Sequence, residues 1–153
     1  MSQTTIVTYQ EKYLPAFANL NREWIQKYFT LEPMDLAQLE KPHDLILNPG
    51  GEIFFLLEDG IPVGTCAMAP HDGVFELAKM AILPSKRGLG YGDLLMQAAI
   101  DWAKEKNLPK IILLSNTVLE PAISLYKKHG FKTVHLGSHP DYQRCNIIME
   151  LAL

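Results

Sequence analysis

"AILPSKRGLGYGDLL", residues 81–95, places Gly88, Gly90 and Gly92 on alternate positions directly ahead of a run with helical spacing. A glycine inside a helix costs about 1 kcal/mol relative to alanine, so three together argue against a helix starting here. What they provide is backbone without side chains at a helix N-terminus. There the first N–H groups lack intrahelical partners and the helix dipole presents its positive end. With Arg87 adding a fixed charge, the stretch suits a phosphate or pyrophosphate. The alternative is that the glycines only let a strand and a helix pack tightly. Two common phosphate motifs fail. A dinucleotide fingerprint, G-x-G-x-x-G, counted from Gly88 or Gly90 ends on Asp93 or Leu95. A Walker A loop counted from Gly88 has Asp93 at its second glycine.

Outward from the glycines, "VFELAKMAIL" (74–83) reads as a strand, and "KIILLS" (110–115) as a short strand buried on both faces. The glycine-led helix between them, with Tyr91, Leu94, Leu95, Ala98 and Trp102 on one predicted face, completes a β-α-β unit. Such a unit is parallel with a right-handed crossover. "EIFFLLED" and "IPVGTCAMA" are joined by Asp59-Gly60, and His71-Asp72-Gly73 leads into the strand at 74–83, so an antiparallel meander is expected. "TTIVTY" (4–9) is a first strand, and Leu14, Phe17, Trp24, Ile25 and Tyr28 mark a helix. "MDLAQLE", bracketed by Pro33 and Pro42, is a second. Pro121 opens a helix that ends on Lys127, Lys128 and His129 before Gly130, and "FKTVHL" and "RCNIIMEL" close the chain as strands. The order βααβββαβαββ is of α/β (α+β) class, a mixed, mostly antiparallel sheet around one parallel unit.

With 153 residues, no repeat, no low-complexity tract and no linker, a single domain over 1–153 is expected. A hydrophobic content of 48% with 20% charged residues fits a globular chain, and a net charge of −3 gives no electrostatic case for nucleic acid or an anionic membrane. "MSQTTIVTYQEKYL" lacks the basic and apolar regions of a signal peptide, and no apolar run approaches the roughly 20 residues of a membrane span. Cys66 and Cys145 stand far apart in no paired motif. Reduced thiols and a cytoplasmic location are expected.

The glycine stretch resembles the acyl-CoA loop of the GNAT superfamily of N-acetyltransferases, [Q/R]-x-x-G-x-[G/A], with Arg87, Gly90 and Gly92 in register. "PAISLYKKHGF" (121–131) is similar to the family's A-x-x-L-Y-x-x-x-G-F segment at Ala122, Leu125, Tyr126, Gly130 and Phe131. The order of elements agrees along the whole chain. The resemblance implies that acetyl-CoA is the co-substrate, its pyrophosphate held by backbone amides of Gly88, Leu89, Gly90, Tyr91 and Gly92 beside Arg87. It implies that the strand edge at Met80, Ala81 and Ile82 pairs with the pantetheine arm, in a V-shaped gap between the strands at 74–83 and 110–115. Family members often carry Asn where this chain has Leu119, and Asn116 lies near enough to replace it.

Acetyl transfer to an amine needs two proton movements: the amine must be deprotonated, and the leaving thiolate benefits from a donor. Tyr126, at the family's tyrosine position, is the candidate acid; an ordinary core tyrosine would occupy the same helical face. Glu76, a carboxylate in an apolar strand, is the candidate base, with burial expected to raise its pKa. It could equally be a solvated edge carboxylate or a structural partner of Lys79, with water-mediated deprotonation in its place. His135 and His139, split by Gly137, make no metal site, and no metal is expected. Glu23, Trp24, Tyr28, Tyr142 and Arg144 are candidates for an acceptor pocket. The reading is an N-acetyltransferase acting by direct attack in a ternary complex. Its acceptor is an amine of a small molecule or a protein, with no nucleic-acid or membrane partner, and exposed sheet edges leave room for a homodimer. A non-catalytic acyl-CoA-binding sensor or interaction module is the alternative.

Overall fold

The structure, a computed structural model, describes residues 3–139 and 143–153. The β-branched and apolar runs pair into a seven-stranded sheet of order β1-β2-β3-β4-β5-β7-β6. Its strands are β1 (Thr4–Thr8), β2 (Glu52–Glu58), β3 (Ile61–His71), β4 (Val74–Ile82), β5 (Lys110–Ser115), β6 (Lys132–Leu136) and β7 (Ile147–Ala152). Every pair is antiparallel except β4–β5. The helices are α1 (Leu14–Tyr28), α2 (Pro33–Glu40), α3 (Tyr91–Glu105) and α4 (Glu120–Lys128). Both hairpin turns take the left-handed backbone that Asp-Gly favours, with φ of 51° and 83° at Asp59-Gly60 and 48° and 82° at Asp72-Gly73.

Side-chain alternation along β2 shows why that strand is apolar from Ile53 to Leu57. Phe54 and Leu56 pack on the α3 side with Met68, Leu95, Met96 and Ile111, while Ile53 and Phe55 pack on the other side with Phe17, Leu39 and Ala67. A sheet covered on both faces needs no polar face.

Three details differ from the sequence reading. The buried stripe of α3 runs through Tyr91, Leu95, Met96, Ala99, Ile100 and Ala103, whereas Leu94 is 43% exposed. The helix lies on the sheet along its small residues, a choice that hydrophobicity at Leu94 does not reveal. The final strand starts at Ile147, because Arg144 is drawn towards α2 before the ladder begins. His43–Leu47 forms a turn of π-helix. Among the described residues, no helix is long and apolar enough to cross a membrane.

The departure from regular sheet lies in β4. It pairs with β5 only at Phe75↔Ile111 and Glu76↔Ile112, and then the two strands part. Each keeps its other neighbour, β4 on β3 and β5 on β7. Between Thr65↔Ala81 and Ala67↔Ala78 the β3–β4 register slips, leaving Lys79 and Met80 opposite Cys66. Lys79 sits at φ 54°, a costly backbone for a non-glycine residue and the mark of a bulge. The extra residue sends Lys79 to the α2 side, while Leu77, Met80 and Ile82 stay on the α3 side. A bulge sharpens local twist, and here it lies just beyond the point where β4 leaves β5.

Candidate active site

The parted strands enclose a cavity of about 460 Å³. Its floor is β4 from Glu76 to Ile82, its outer end the loop at 87–92, and its far wall the end of β5 and α4. Gly88 and Gly90 both have φ near 81°, and a Cβ built at either would meet nothing within 4 Å. Gly90 is the N-cap of α3 with no side chain capping it, so the first N–H groups of the helix open onto bare space. That space and polarity fit a pyrophosphate. Gly92 serves packing instead: a Cβ there would sit 3.1 Å from Leu125 Cδ2, so its absence brings α3 against α4.

The loop is tethered from outside the cavity. Lys86 Nζ lies 2.6 Å from Glu58 Oε1, and the Tyr91 hydroxyl donates to the same carboxylate. Hydrogen bonds from Lys86 and Tyr91 hold the Glu58 carboxyl below its ordinary value. Tyr91 thus turns its ring into the core and leaves only main chain to a ligand. Leu89 is 58% exposed, and Arg87 Nη2 lies 3.4 Å from Glu23 Oε2 on α1. Asp93, in the first turn of α3, is bound by Lys128 Nζ at 2.9 Å and His129 Nε2 at 2.7 Å. These contacts fasten α4 to α3 and offset an acid that would otherwise repel an anion.

Along the floor, Met80, Ala81 and Ile82 present the β4 edge that β5 has left, while β3 occupies the opposite edge through Thr65↔Ala81 and Gly64↔Ile82. A free strand edge is a row of donors and acceptors at the spacing of an extended chain.

At the inner end, α4 carries Tyr126, its ring 6.1 Å from Phe131. No hydrogen bond to its hydroxyl occurs among the described residues. Burial, then the fields of Cys66 and Glu76, push its pKa up to about 12. Glu76 lines the same cavity, is 6% exposed, and has Oε1 3.5 Å from His71 Nδ1. Burial rules out the solvated-edge reading of Glu76. Lys79, the alternative partner for Glu76, has its ammonium on Asp35, Nζ to Oδ1 at 2.7 Å, with Glu76 near enough for the charges to interact.

Asn116 lines the cavity, but its amide is engaged: Nδ2 donates to the Arg144 carbonyl at 2.7 Å, and Oδ1 accepts from Val118 N–H at 2.9 Å. It ties the end of β5 to the segment before β7. Trp24, Tyr28, Phe29 and Arg144 also line the cavity. Tyr142 lies outside the described residues. Cys145 also lines the cavity, yet burial raises its thiol pKa and its Sγ donates to the Ile147 carbonyl at 3.6 Å. Burial likewise pushes up the Cys66 thiol. Neither is a ready thiolate. No group of three or more His, Cys, Asp and Glu that could hold a metal occurs among the described residues.

Sequence reasoning missed an ionic cluster beside the cavity. Asp35, fully buried, receives Lys79 and both terminal nitrogens of Arg144 at 2.5 Å, and Arg144 Nη1 also reaches Glu32 Oε2 at 3.3 Å. Burial pushes the Asp35 carboxyl up, but Arg144 and Lys79 outweigh it and hold it below the ordinary range. Burial drives the Lys79 ammonium down despite Asp35. The one sequence signal was a lysine in the middle of an apolar strand.

Comparison with known proteins agrees with this geometry. The model of the Acetyltransferase (GNAT) family matches residues 14–131. A Bacillus subtilis protein whose name assigns it the N-acetylation of alanine in ribosomal protein bS18 is 30% identical over 90 residues, 59% of this chain and 60% of its own length. A Staphylococcus aureus acetyltransferase of the GNAT family superposes with a TM-score of 0.88 at 23% identity, covering 99% of both chains. The Salmonella typhimurium protein yncA, solved with its cofactor acetyl-CoA, gives a TM-score of 0.76 at 18% identity over 99% of this chain and 94% of its own. With the splayed strands, the glycine loop and the matched residues in agreement, the chain belongs to the GNAT family of acetyltransferases.

Proposed function

We propose that the protein, as a single catalytic domain, moves an acetyl group from acetyl-CoA to an amine acceptor by direct attack in a ternary complex. The observation that carries this is one cavity with three features: a bare helix N-terminus at its mouth, an unpaired strand edge along its floor, and a buried tyrosine hydroxyl at its inner end. Acetyl-CoA, when bound, supplies the activated thioester. Backbone N–H groups from Gly88 to Gly92, with Arg87, would hold the pyrophosphate. The edge at Met80, Ala81 and Ile82 would take the pantetheine arm as an added strand. Asn116 would shape the gap through its backbone ties.

Glu76 accepts a proton from the amine, and Tyr126 donates a hydrogen bond, and at the end of the step a proton, to the departing sulfur. Each such group is worth about 10²–10⁴-fold, and holding both reactants side by side can supply more. Trp24, Tyr28 and Phe29 give the acceptor an aromatic wall. The acceptor named for the Bacillus relative, an alanine of a ribosomal protein, places protein α-amines beside small amines among the substrates to be tried.

Calorimetry with acetyl-CoA, followed by an assay of free CoA against a panel of amines, tests the reading. Binding with amine-dependent CoA release is expected. Binding without release on any amine would favour a non-catalytic acyl-CoA sensor, and absence of binding would overturn the assignment of the loop.

A further inference from the structure

The net reaction, R–NH₃⁺ + CH₃CO–S–CoA → R–NH–COCH₃ + CoA–SH + H⁺, forms an N–C bond, breaks a C–S bond and releases one proton per turnover. The nitrogen loses two protons, one of which replaces the proton that Tyr126 gives to the sulfur. The other must leave a site whose base, Glu76, is 6% exposed. We propose that His71 is the exit for that proton, taking it from Glu76 and delivering it to bulk solvent at the end of β3, outside the cavity. The proposal rests on the acetyltransferase reading and on Glu76 as base.

The geometry that carries it crosses two strands. Ala69 is the residue paired with Glu76, and His71 lies two positions further along β3, so the two side chains are diagonal neighbours on one face. His71 Nδ1 is 3.5 Å from Glu76 Oε1, and its other nitrogen, Nε2, is 3.6 Å from Asp72 Oδ2. Exposure rises outward along this line: the side chains of Glu76, His71 and Asp72 are 9%, 21% and 89% exposed. Glu76 lines the cavity and His71 does not. The imidazole therefore stands between a carboxylate that faces substrate and one that faces water. Imidazole suits the task because it can take a proton on one nitrogen and release one from the other. Among the described residues, His139, from the segment after β6, also packs on His71, with ring centroids 6.0 Å apart. Lys79, further along β4, is close enough to Glu76 for the two charges to interact. It is held by Asp35 on the opposite side. His71 acts through Glu76 and touches no reacting atom.

The test compares His71→Asn and His71→Gln with Glu76→Gln, using an amine on which turnover shows a solvent deuterium isotope effect. Both His71 variants are expected to melt near the parent and to bind acetyl-CoA with unchanged affinity. Their kcat should fall about tenfold in dilute buffer and recover as imidazole is added, a rescue that a merely structural histidine would not show. Folded His71 variants with full kcat in dilute buffer, or with a loss that imidazole does not restore, would overturn the relay. If Glu76→Gln retains full activity, the base reading fails and the relay with it. If Glu76→Gln is impaired while the His71 variants are not, the relay alone fails. Should neither His71 variant fold, the parent decides: a built-in exit makes kcat independent of buffer concentration, and a kcat that climbs with buffer would overturn it.

Discussion

The part proposed for Tyr126 faces an energetic constraint. Its hydroxyl is pushed up to about 12 by burial and by the fields of Cys66 and Glu76. A free thiol titrates near about 8.5, so complete proton transfer to thiolate would be uphill by roughly 3.5 pKa units, about 5 kcal/mol. In the proposed reaction the hydroxyl would therefore act chiefly as a hydrogen-bond donor while charge builds on sulfur, and would part with its proton only as it is resupplied. Tyr126→Phe keeps the ring on Phe131 and deletes that donor, so kcat should fall about tenfold to a thousandfold with acetyl-CoA affinity nearly unchanged. Steady-state rates, calorimetry and a melting curve on both proteins check this. Equal kcat in equally stable proteins, with chemistry rate-limiting, would make Tyr126 a core residue only. The same value fixes the alkaline behaviour: no loss of rate from tyrosine ionisation should appear until the pH nears 12. Glu76→Gln should lower turnover most at low pH, where unprotonated amine is scarce, and should leave acetyl-CoA affinity alone. A pH–rate profile identical to the parent's would assign deprotonation to water. Glu76 was legible as a carboxylate in an apolar strand, and Tyr126 as the tyrosine of the segment that resembles the family's. Their surroundings were not, because His71, Cys66 and Phe131 reach them across strand and helix contacts that spacing along the chain does not encode.

At the level of elements, the site follows from two breaks in regular structure, the parting of β4 from β5 and the bare start of α3. Gly90→Asp tests the second. A side chain at this position enters open space, though at φ 81° it costs about 1–2 kcal/mol, a conformation that Asn and Asp tolerate best. The variant should fold, melt slightly lower, and lose acetyl-CoA binding, because its carboxylate meets the pyrophosphate. Gly90→Asn imposes the same backbone cost without the charge and should retain most of the affinity. Calorimetry on the pair separates the two causes, and a folded Gly90→Asp that binds like the parent would show that phosphate does not sit at this loop. Elements announced by local chemistry were readable: both Asp-Gly hairpins, the glycine-led helix start and the apolar β5. The bulge at Lys79 was not, since a slip of register against Cys66 is a property of two strands together. The face of α3 was misjudged at Leu94 because packing distance to the sheet is set by Ala99 and Ala103, whose small size carries little hydrophobic signal.

Across the whole molecule, four distant parts of the chain meet at Asp35: α2, the β4 bulge through Lys79, the segment before β7 through Arg144, and α1 through the Arg144 guanidinium 5.9 Å from the Trp24 ring. This junction holds Trp24 and Arg144, which line the cavity, against the strand that carries Glu76. Asp35→Asn leaves Lys79 and Arg144 without their shared counter-charge, and breaking a buried pair from one side costs about 3–5 kcal/mol. For a domain of this size that is a fall in Tm of roughly 6–20 °C, at the lower end to the extent that Glu32 retains Arg144. Acid should reveal the same group. The folded-state pKa of Asp35 lies below its unfolded value, so the unfolded chain binds the extra proton first as pH drops. The contribution of Asp35 is complete above about pH 4, the ordinary carboxylate range, and is lost as pH falls through the depressed folded value. Stability measured against pH should therefore decline less steeply below pH 4 in Asp35→Asn than in the parent, the two curves converging at the acid end. Combining Asp35→Asn with Lys79→Met removes the orphaned ammonium, so the double variant should be more stable than Asp35→Asn alone. Denaturant melts of the four proteins close that cycle. Additive losses would mean that Lys79 and Asp35 are not energetically coupled, and that something other than their ion pair holds Lys79 at its positive φ.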